Sequence, residues 1–294
     1  KGVGQRELMC GIGGYLTIHR DGAPAAALDA ARVLLRHRGP DGEGQWLSAD
    51  GRAGLTHTRL AIVDLSRDAA QPMVSSDANC VLSFNGEIYN WRDLRAELAG
   101  AGWKFRTQSD SEVLLTAWQA WGDAMLARLR GMFAFAIYDV KQRSLFCARD
   151  RVGKKPFVYA TGPHGFAFAS EIPALMPLAE EIGADTSHDH GALATMLLHN
   201  LRHIPDPATA YKGLRRLRPG HAMIVRDGKI ERTWRYWDVG ADIARAKAYA
   251  GDGVKAVRET LENAVELRRV ADVPVGALLS GGTDSSAIAA LVQK

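Results

Sequence analysis

The chain has 294 residues, a formal net charge of +4, 47% hydrophobic residues and 24% charged residues. That balance is too apolar for a disordered polypeptide, and the length suits two domains better than one. No apolar run reaches the roughly 18–20 residues of a membrane span, no signal-peptide core opens the chain, and Cys10, Cys80 and Cys147 are too few and too scattered for a disulfide framework, so a cytoplasmic protein is expected.

In chain order, Gly11 to Ile18 reads as a strand with glycines where the backbone comes close to a neighbour. Leu28 to His37 has helical periodicity, with Leu28, Ala31, Leu34 and Leu35 on one face. Gly39, Pro40 and Gly42 break it. Leu55 to Val63 reads as a strand, and Val81 to Phe84 as a short strand running into Asn85-Gly86. Asn90 is placed to cap a helix over Trp91 to Ala99. Ser109-Asp110-Ser111-Glu112 has capping-box spacing and opens a helix to about Trp121. Met132 to Val140 with Ser144 to Arg149, then Phe157 to Ala160 with Phe166 to Ala169, read as two hairpins. Many strands with few helices point to antiparallel sheets.

The pattern changes after about Asp238. Ala246 to Val270 is helix-forming, and Val273 to Leu279 is a continuous apolar run of the kind buried in a parallel sheet. A Gly-rich loop over Ser280 to Ser286 precedes a helix from Ala287 to Val292. A second, α/β domain is therefore expected here. Between Asn200 and Arg235 nine Lys/Arg stand against three Asp/Glu. This stretch reads as a solvated basic surface or an anion-binding one, with no nucleic-acid signature beside it.

Four constellations carry chemistry. Cys10, beside Gly11, Gly13 and Gly14 at a strand mouth, is either a core cysteine or a nucleophile. If Cys10 became the first residue, its own α-amine would serve as general base for its thiol. Asn85 and Gly86 form either a plain turn or a pair of N–H donors converging on an oxyanion. Arg59 suits a substrate carboxylate and Asp110 an ammonium, the alternative for Asp110 being helix capping. Ser280-Gly281-Gly282-Thr283-Asp284-Ser285-Ser286 follows an apolar run and opens a helix, the placement of a phosphate loop, but lacks the Lys of a Walker loop.

Together with Arg38-Gly39-Pro40-Asp41-Gly42, His57-Thr58-Arg59-Leu60, Phe84 to Asn90 and Arg149-Asp150-Arg151-Val152-Gly153-Lys154-Lys155-Pro156, these segments resemble the glutamine-hydrolysing asparagine synthetases, from Met9 to Lys294. The resemblance implies a four-layer αββα N-terminal-nucleophile hydrolase domain followed by the start of a parallel-sheet α/β ATP-pyrophosphatase-like domain. The expected division is an extension over 1–9, a glutaminase domain over 10–220, a connecting segment over 221–250 and the synthetase start over 251–294.

The resemblance further implies Cys10 as nucleophile and Asn85 with Gly86 as the oxyanion hole. Glutamine is expected against Arg59, Leu60, Ala61, Ile62, Val63, Asn85, Gly86, Glu87 and Asp110. ATP is expected at Leu279, Ser280, Gly281, Gly282, Asp284, Ser285 and Ser286, with Asp284 contributing through Mg²⁺-ATP and no prosthetic group. Thr283 stands where the family more often carries an aliphatic residue. Residues 1–8 are expected to lie upstream of a true start at Met9, and the C-terminus to be truncated. Aspartate is the expected acceptor and a homodimer the expected assembly, with neither nucleic acid nor membrane as partner. The alternatives are another carboxylate acceptor, such as a sugar acid or peptide, and a silent regulatory module.

Overall fold

The computed structural model describes residues 9–18, 24–246 and 251–293. Of the extension expected over 1–9, residues 1–8 lie outside them. Among the described residues, twelve strands form two antiparallel six-stranded sheets. The first sheet contains β1 (Gly11–Thr17), β2 (Gly42–Leu47), β3 (Ala53–Arg59), β8 (Val158–Gly162), β9 (Gly165–Ala169) and β10 (Leu214–Arg216), in the order β10-β8-β9-β1-β3-β2. The second contains β4 (Met73–Val74), β5 (Cys80–Ile88), β6 (Gly131–Asp139), β7 (Ser144–Arg149), β11 (His221–Arg226) and β12 (Lys229–Arg235), in the order β12-β11-β7-β6-β5-β4.

Side chains alternate across a strand, so a strand packed on both faces feeds two cores. In β6, Phe133, Phe135 and Ile137 face a core shared with α2 (Trp91–Gly100) and α3 (Asp110–Trp121), while Ala134, Ala136 and Tyr138 face the other sheet. In β1, Ile12 and Leu16 join that inter-sheet core, and Tyr15 turns to α1 (Ala25–Leu35) and α4 (Ile172–Glu181). The layers are helices, sheet, sheet, helices, as the αββα expectation has it. Gly14 permits close packing in the first sheet, where a Cβ would stand 2.6 Å from the Gly54 carbonyl oxygen.

Several local expectations are corrected. In α1, Ala27 replaces Leu34 on the buried face, and Leu34 is exposed, because the helix starts earlier and its buried stripe is Ala27, Leu28, Ala31 and Leu35. Asn90 stands before α2 without capping it. Its amide instead donates to the Arg128 carbonyl at 3.0 Å and accepts the Arg130 N–H at 2.9 Å. Strand β3 stops at Arg59, so Leu60 to Val63 is loop. The segment expected as a connector over 221–250 begins with β11 and β12, because β11 pairs with β7 and extends the second sheet.

Helix α5 (His190–Leu198) precedes β10, and beyond the sheets lie α6 (Val239–Ala246), α7 (Gly253–Arg268) and α8 (Thr283–Gln293); residues 247–250 of the expected long helix lie outside the described residues. Val273 to Leu279 is not a strand. Pro274 lacks an N–H for a ladder, and the described residues supply no neighbouring strand. Around the basic stretch, Arg216, Arg226, Arg232 and Arg235 pair with Asp206, Glu231, Asp123 and Asp238, the pattern of a solvated face. No described helix is long and apolar enough to cross a membrane.

Phe168 is fully buried between the sheets and stacks on Phe157 with ring centroids 5.2 Å apart. Phe168→Ala should cost about 3–5 kcal/mol in urea unfolding, the range for emptying a large core site. A loss under about 1 kcal/mol would show that the inter-sheet layer is loosely packed.

Candidate active site

A cavity of about 160 Å³ opens where the N-terminal end of β1 meets the ends of β3 and β5 and the start of α3. This is below the roughly 300–1,000 Å³ of drug-sized sites and suits an amino-acid side chain or a small metabolite. The expected nucleophile Cys10 lines it, as do Arg59, Leu60, Ile62, Val63, Asn85, Gly86, Glu87 and Asp110 of the residues expected to hold glutamine. Ala61 does not line the cavity; its N–H instead donates to the Asp41 carboxylate at 2.9 Å, tying the loop to the segment after α1.

Cys10 sits immediately before β1. Its sulfur accepts the Leu60 N–H at 3.4 Å and lies 3.6 Å from the Leu60 carbonyl oxygen. Burial pushes the thiol up from its ordinary range, while the Leu60 backbone and the charges of Lys155 and Arg59 act to lower it. Among the described residues, no histidine lines the cavity. His57 is buried nearby with Nε2 3.0 Å from the Phe84 carbonyl oxygen, and burial holds it down to about 4, so it stays neutral near pH 7.

Asn85 and Gly86 are not a turn. They lie within β5, in register with Ala134 and Phe133 of β6. A Cβ on Gly86 would approach the Met132 carbonyl oxygen to 2.2 Å, so only glycine lets the strand pass there. Asn85 is 1% exposed, and neither Nδ2 nor Oδ1 has a protein partner. A buried amide left unpaired costs about 1–3 kcal/mol, which a bound polar ligand recovers.

Arg59 donates from Nη1 to the Ser66 carbonyl at 2.8 Å and from Nη2 to the Asp64 carbonyl, and its guanidinium has further donors to offer the cavity. Ser109, not Asp110, caps α3, accepting the Glu112 N–H at 3.2 Å. Asp110 is the first residue of the helix. Its carboxylate accepts the Ile88 N–H at 2.9 Å, and burial raises it to about 7. Glu87 is likewise raised by burial, opposed by Lys155 and Arg268.

Lining residues given no site role in the sequence reading include Ala69, Gln71, Met132 and Lys155. Gln71 accepts the Phe84 N–H at 2.7 Å and donates to the Ser111 hydroxyl at 3.1 Å, joining β5 to α3. The Lys155 ammonium lies 3.0 Å from the Met9 sulfur. Lys155 stands inside the Arg149 to Pro156 segment, which was the available signal for it.

The expected ATP residues stand apart from this cavity. Leu279 and Ser280 precede α8, Asp284 to Ser286 fall in its first turn, and Leu279 is 65% exposed. The helix starts at Thr283 rather than Ala287. Ser280 and Ser285 hydroxyls are 2.9 Å apart, and those of Ser285 and Ser286 donate to the Gly282 carbonyl at 3.0 and 2.9 Å. Gly281 has φ +82°, and nothing within 4 Å would meet a Cβ there, so its backbone is open to a ligand. The described residues bring together no group of three side chains able to hold a metal ion, so no magnesium ligand set is assigned.

Residues 9–237 match the glutamine amidotransferase domain family, and residues 256–294 match the asparagine synthase family. A Mycobacterium tuberculosis protein described as "Putative asparagine synthetase (glutamine-hydrolyzing)" is 40% identical over 299 residues, covering 96% of this chain and 45% of that protein. Asparagine synthetase (glutamine-hydrolyzing) 3 of Bacillus subtilis is 37% identical, with 96% and 45% covered, and asparagine synthetase B (glutamine-hydrolyzing) of Escherichia coli is 36% identical, with 97% and 45% covered. The chain thus spans less than half the length of these relatives. Among solved structures, the glutamine phosphoribosylpyrophosphate amidotransferase of B. subtilis superposes with a TM-score of 0.55 at 20% identity, over 78% of this chain and 49% of that one, a likeness of fold alone.

Asp110 yields a direct test. Its folded-state value of about 7 exceeds the ordinary 3.8, so the native state holds its proton more tightly. The favourable contribution is full below about pH 4 and is lost as pH rises through about 7. Asp110→Asn should flatten that part of the stability–pH curve. In a carboxyl titration by NMR, a midpoint near 4 for Asp110 would contradict its burial.

Proposed function

The chain belongs to the glutamine amidotransferase domain family, and on that footing we propose that it hydrolyses glutamine at Cys10 and feeds the ammonia to a carboxylate activated by ATP, with aspartate as acceptor and asparagine as product. The observation that carries the glutaminase half is the unpaired, buried Asn85 amide lining the same cavity as the Cys10 sulfur.

Glutamine enters with its α-carboxylate toward Arg59 and its ammonium toward Asp110. Leu60, Ile62 and Val63 supply the loop wall, and Glu87 closes the other side. Ammonium binding holds Asp110 ionised, offsetting the cost of burying its charge.

Cleavage after Met9 turns the Cys10 nitrogen from an amide into an amine. That amine takes the thiol proton, and the sulfur attacks the side-chain amide carbon of glutamine. The Asn85 amide and the Gly86 N–H receive the oxyanion. The C–N bond breaks, the amine returns its proton to the departing nitrogen, and ammonia leaves a glutamyl thioester. Water, deprotonated by the same amine, hydrolyses the thioester to glutamate and restores the thiol. A neutral His57 buried on the Phe84 carbonyl takes no part.

In the second part, Leu279, Ser280, Gly281, Gly282, Asp284, Ser285 and Ser286 form the ATP loop. The first-turn N–H groups of α8 and the hydroxyls give donors for pyrophosphate oxygens. The acceptor carboxylate attacks the α-phosphorus, pyrophosphate leaves, and ammonia then displaces AMP. Magnesium, when bound with ATP, would neutralise phosphate charge. The glutaminase unit is taken as Cys10 to Arg235 and the ATP unit as starting at about residue 251.

In the complete protein with Cys10 first, Cys10→Ala should abolish glutamate release from glutamine and leave synthesis from free ammonia intact. Glutamate release that survives the substitution, or that persists with residues 1–9 attached, would exclude the proposed nucleophile and base. Asn85→Ala should lower kcat by about 10²–10³, as loss of one oxyanion donor does, with little change in KM. A change confined to KM would make Asn85 a binding residue only.

A further inference from the structure

The turn that holds Arg59 is itself held from a distant part of the chain. Asp64 has φ +51°, in the left-handed region that few residues other than glycine adopt. Its side chain fastens the turn. Oδ1 accepts the Ser66 N–H at 3.1 Å and the Ser66 hydroxyl at 2.6 Å, and Oδ2 accepts the Gln108 N–H at 2.7 Å. The Asp64 carbonyl and the Ser66 carbonyl in turn receive the Arg59 guanidinium. Gln108 lies two residues before Asp110. One side chain therefore joins the loop carrying the guanidinium to the loop carrying the carboxylate.

The remaining polar group of Asp64, its N–H, donates to the Asp272 carboxylate at 2.7 Å. The Asp272 N–H donates back to the Ile62 carbonyl at 2.9 Å. Asp272 thus brackets the cavity-lining residues Ile62 and Val63 from a position 208 residues along the chain. Just before it, the Arg268 guanidinium lies 4.6 Å from the ring centre of Tyr89, two residues after Glu87. The end of α7 and the segment after it thus reach the loop at Ile62 and Asp64 and, through Tyr89, the chain two residues past Glu87. Asp272 itself is exposed and does not line the cavity.

We infer that Asp272 is a positioning residue for the glutamine-binding loop: its carboxylate holds the Asp64 turn in the conformation that aims Arg59, so the segment leading into the ATP loop sets the affinity of the glutaminase. This rests on the reading of the cavity as a glutamine site. It assigns Asp272 no contact with substrate, so its effect falls on binding and not on the chemical step. It also gives the ATP part a mechanical route to the glutaminase, since Asp272 stands eight residues before Ser280 in the same connection.

The test compares wild type, Asp272→Ala and Asp272→Asn in the complete protein. Losing one exposed backbone-to-carboxylate bond should raise KM for glutamine about 3- to 10-fold in Asp272→Ala, with kcat within about twofold. Asp272→Asn keeps an acceptor oxygen and should restore KM to within about twofold. Hydrogen exchange over residues 60–66 without glutamine should quicken in Asp272→Ala alone. An unchanged KM in Asp272→Ala beside an active wild type would overturn the inference and leave the glutaminase reading standing. Unaltered exchange would overturn it whether or not the wild type hydrolyses glutamine. An inactive wild type with quickened exchange would sink the glutamine reading and keep the link between Asp272 and the turn.

Discussion

The packing of one sheet against the other is the contact on which the site depends. Ile12 and Leu16 of β1, Phe166 and Phe168 of β9, and Ala134, Ala136 and Tyr138 of β6 meet in a single layer. Small residues on the β6 side let the sheets approach, and large ones from β1 and β9 fill the gap. This brings the start of β1 beside the end of β5, although Cys10 and Asn85 are far apart in sequence. Without that layer each residue would sit at the end of a separate sheet.

The cavity at this junction is costly by design. Asn85 is buried without a protein partner, Asp110 is buried to the point of holding its proton near neutral pH, and Gly86 runs against the Met132 carbonyl. The unpaired Asn85 amide and the buried Asp110 carboxyl lower the stability of the empty site, a cost that a ligand with an ammonium and an amide oxygen would recover. The proposed glutamine has both. The thiol is buried too, but the Leu60 N–H and nearby cations stand against the cost of ionising it.

The loop over residues 60–66 links this site to the rest of the chain. It leaves β3 at Arg59 and passes the Cys10 sulfur at Leu60. It then turns at Asp64, where bonds from Ser66, Gln108 and Asp272 hold an unusual backbone angle. A loop so fastened presents its guanidinium without reordering on binding, which conserves affinity. The same fastening makes it responsive to whatever moves the segment after α7.

What sequence alone determined was set by short-range chemistry. Alternation and breakers marked most strands of the two sheets, Ser109 to Glu112 marked the start of α3, and the ordered landmarks from Cys10 to Pro156 marked the family. The misreadings were of residues whose local preference yields to a partner elsewhere. Asn85-Gly86 favours a turn by propensity, yet nine-residue pairing with β6 holds it extended. Asn90 favours a cap, yet the chain near Arg128 claims its amide. Gln71 and Asp272 gave no local sign, and Lys155 only its place in the Arg149 to Pro156 segment, because their neighbours at the site are Phe84, Asp64 and Met9, brought near only by the stacking of sheets and the docking of a distant segment. Dihedral preference and side-chain period act over a few residues and are written in order along the chain; contacts between residues far apart in sequence exist only once the layers have closed.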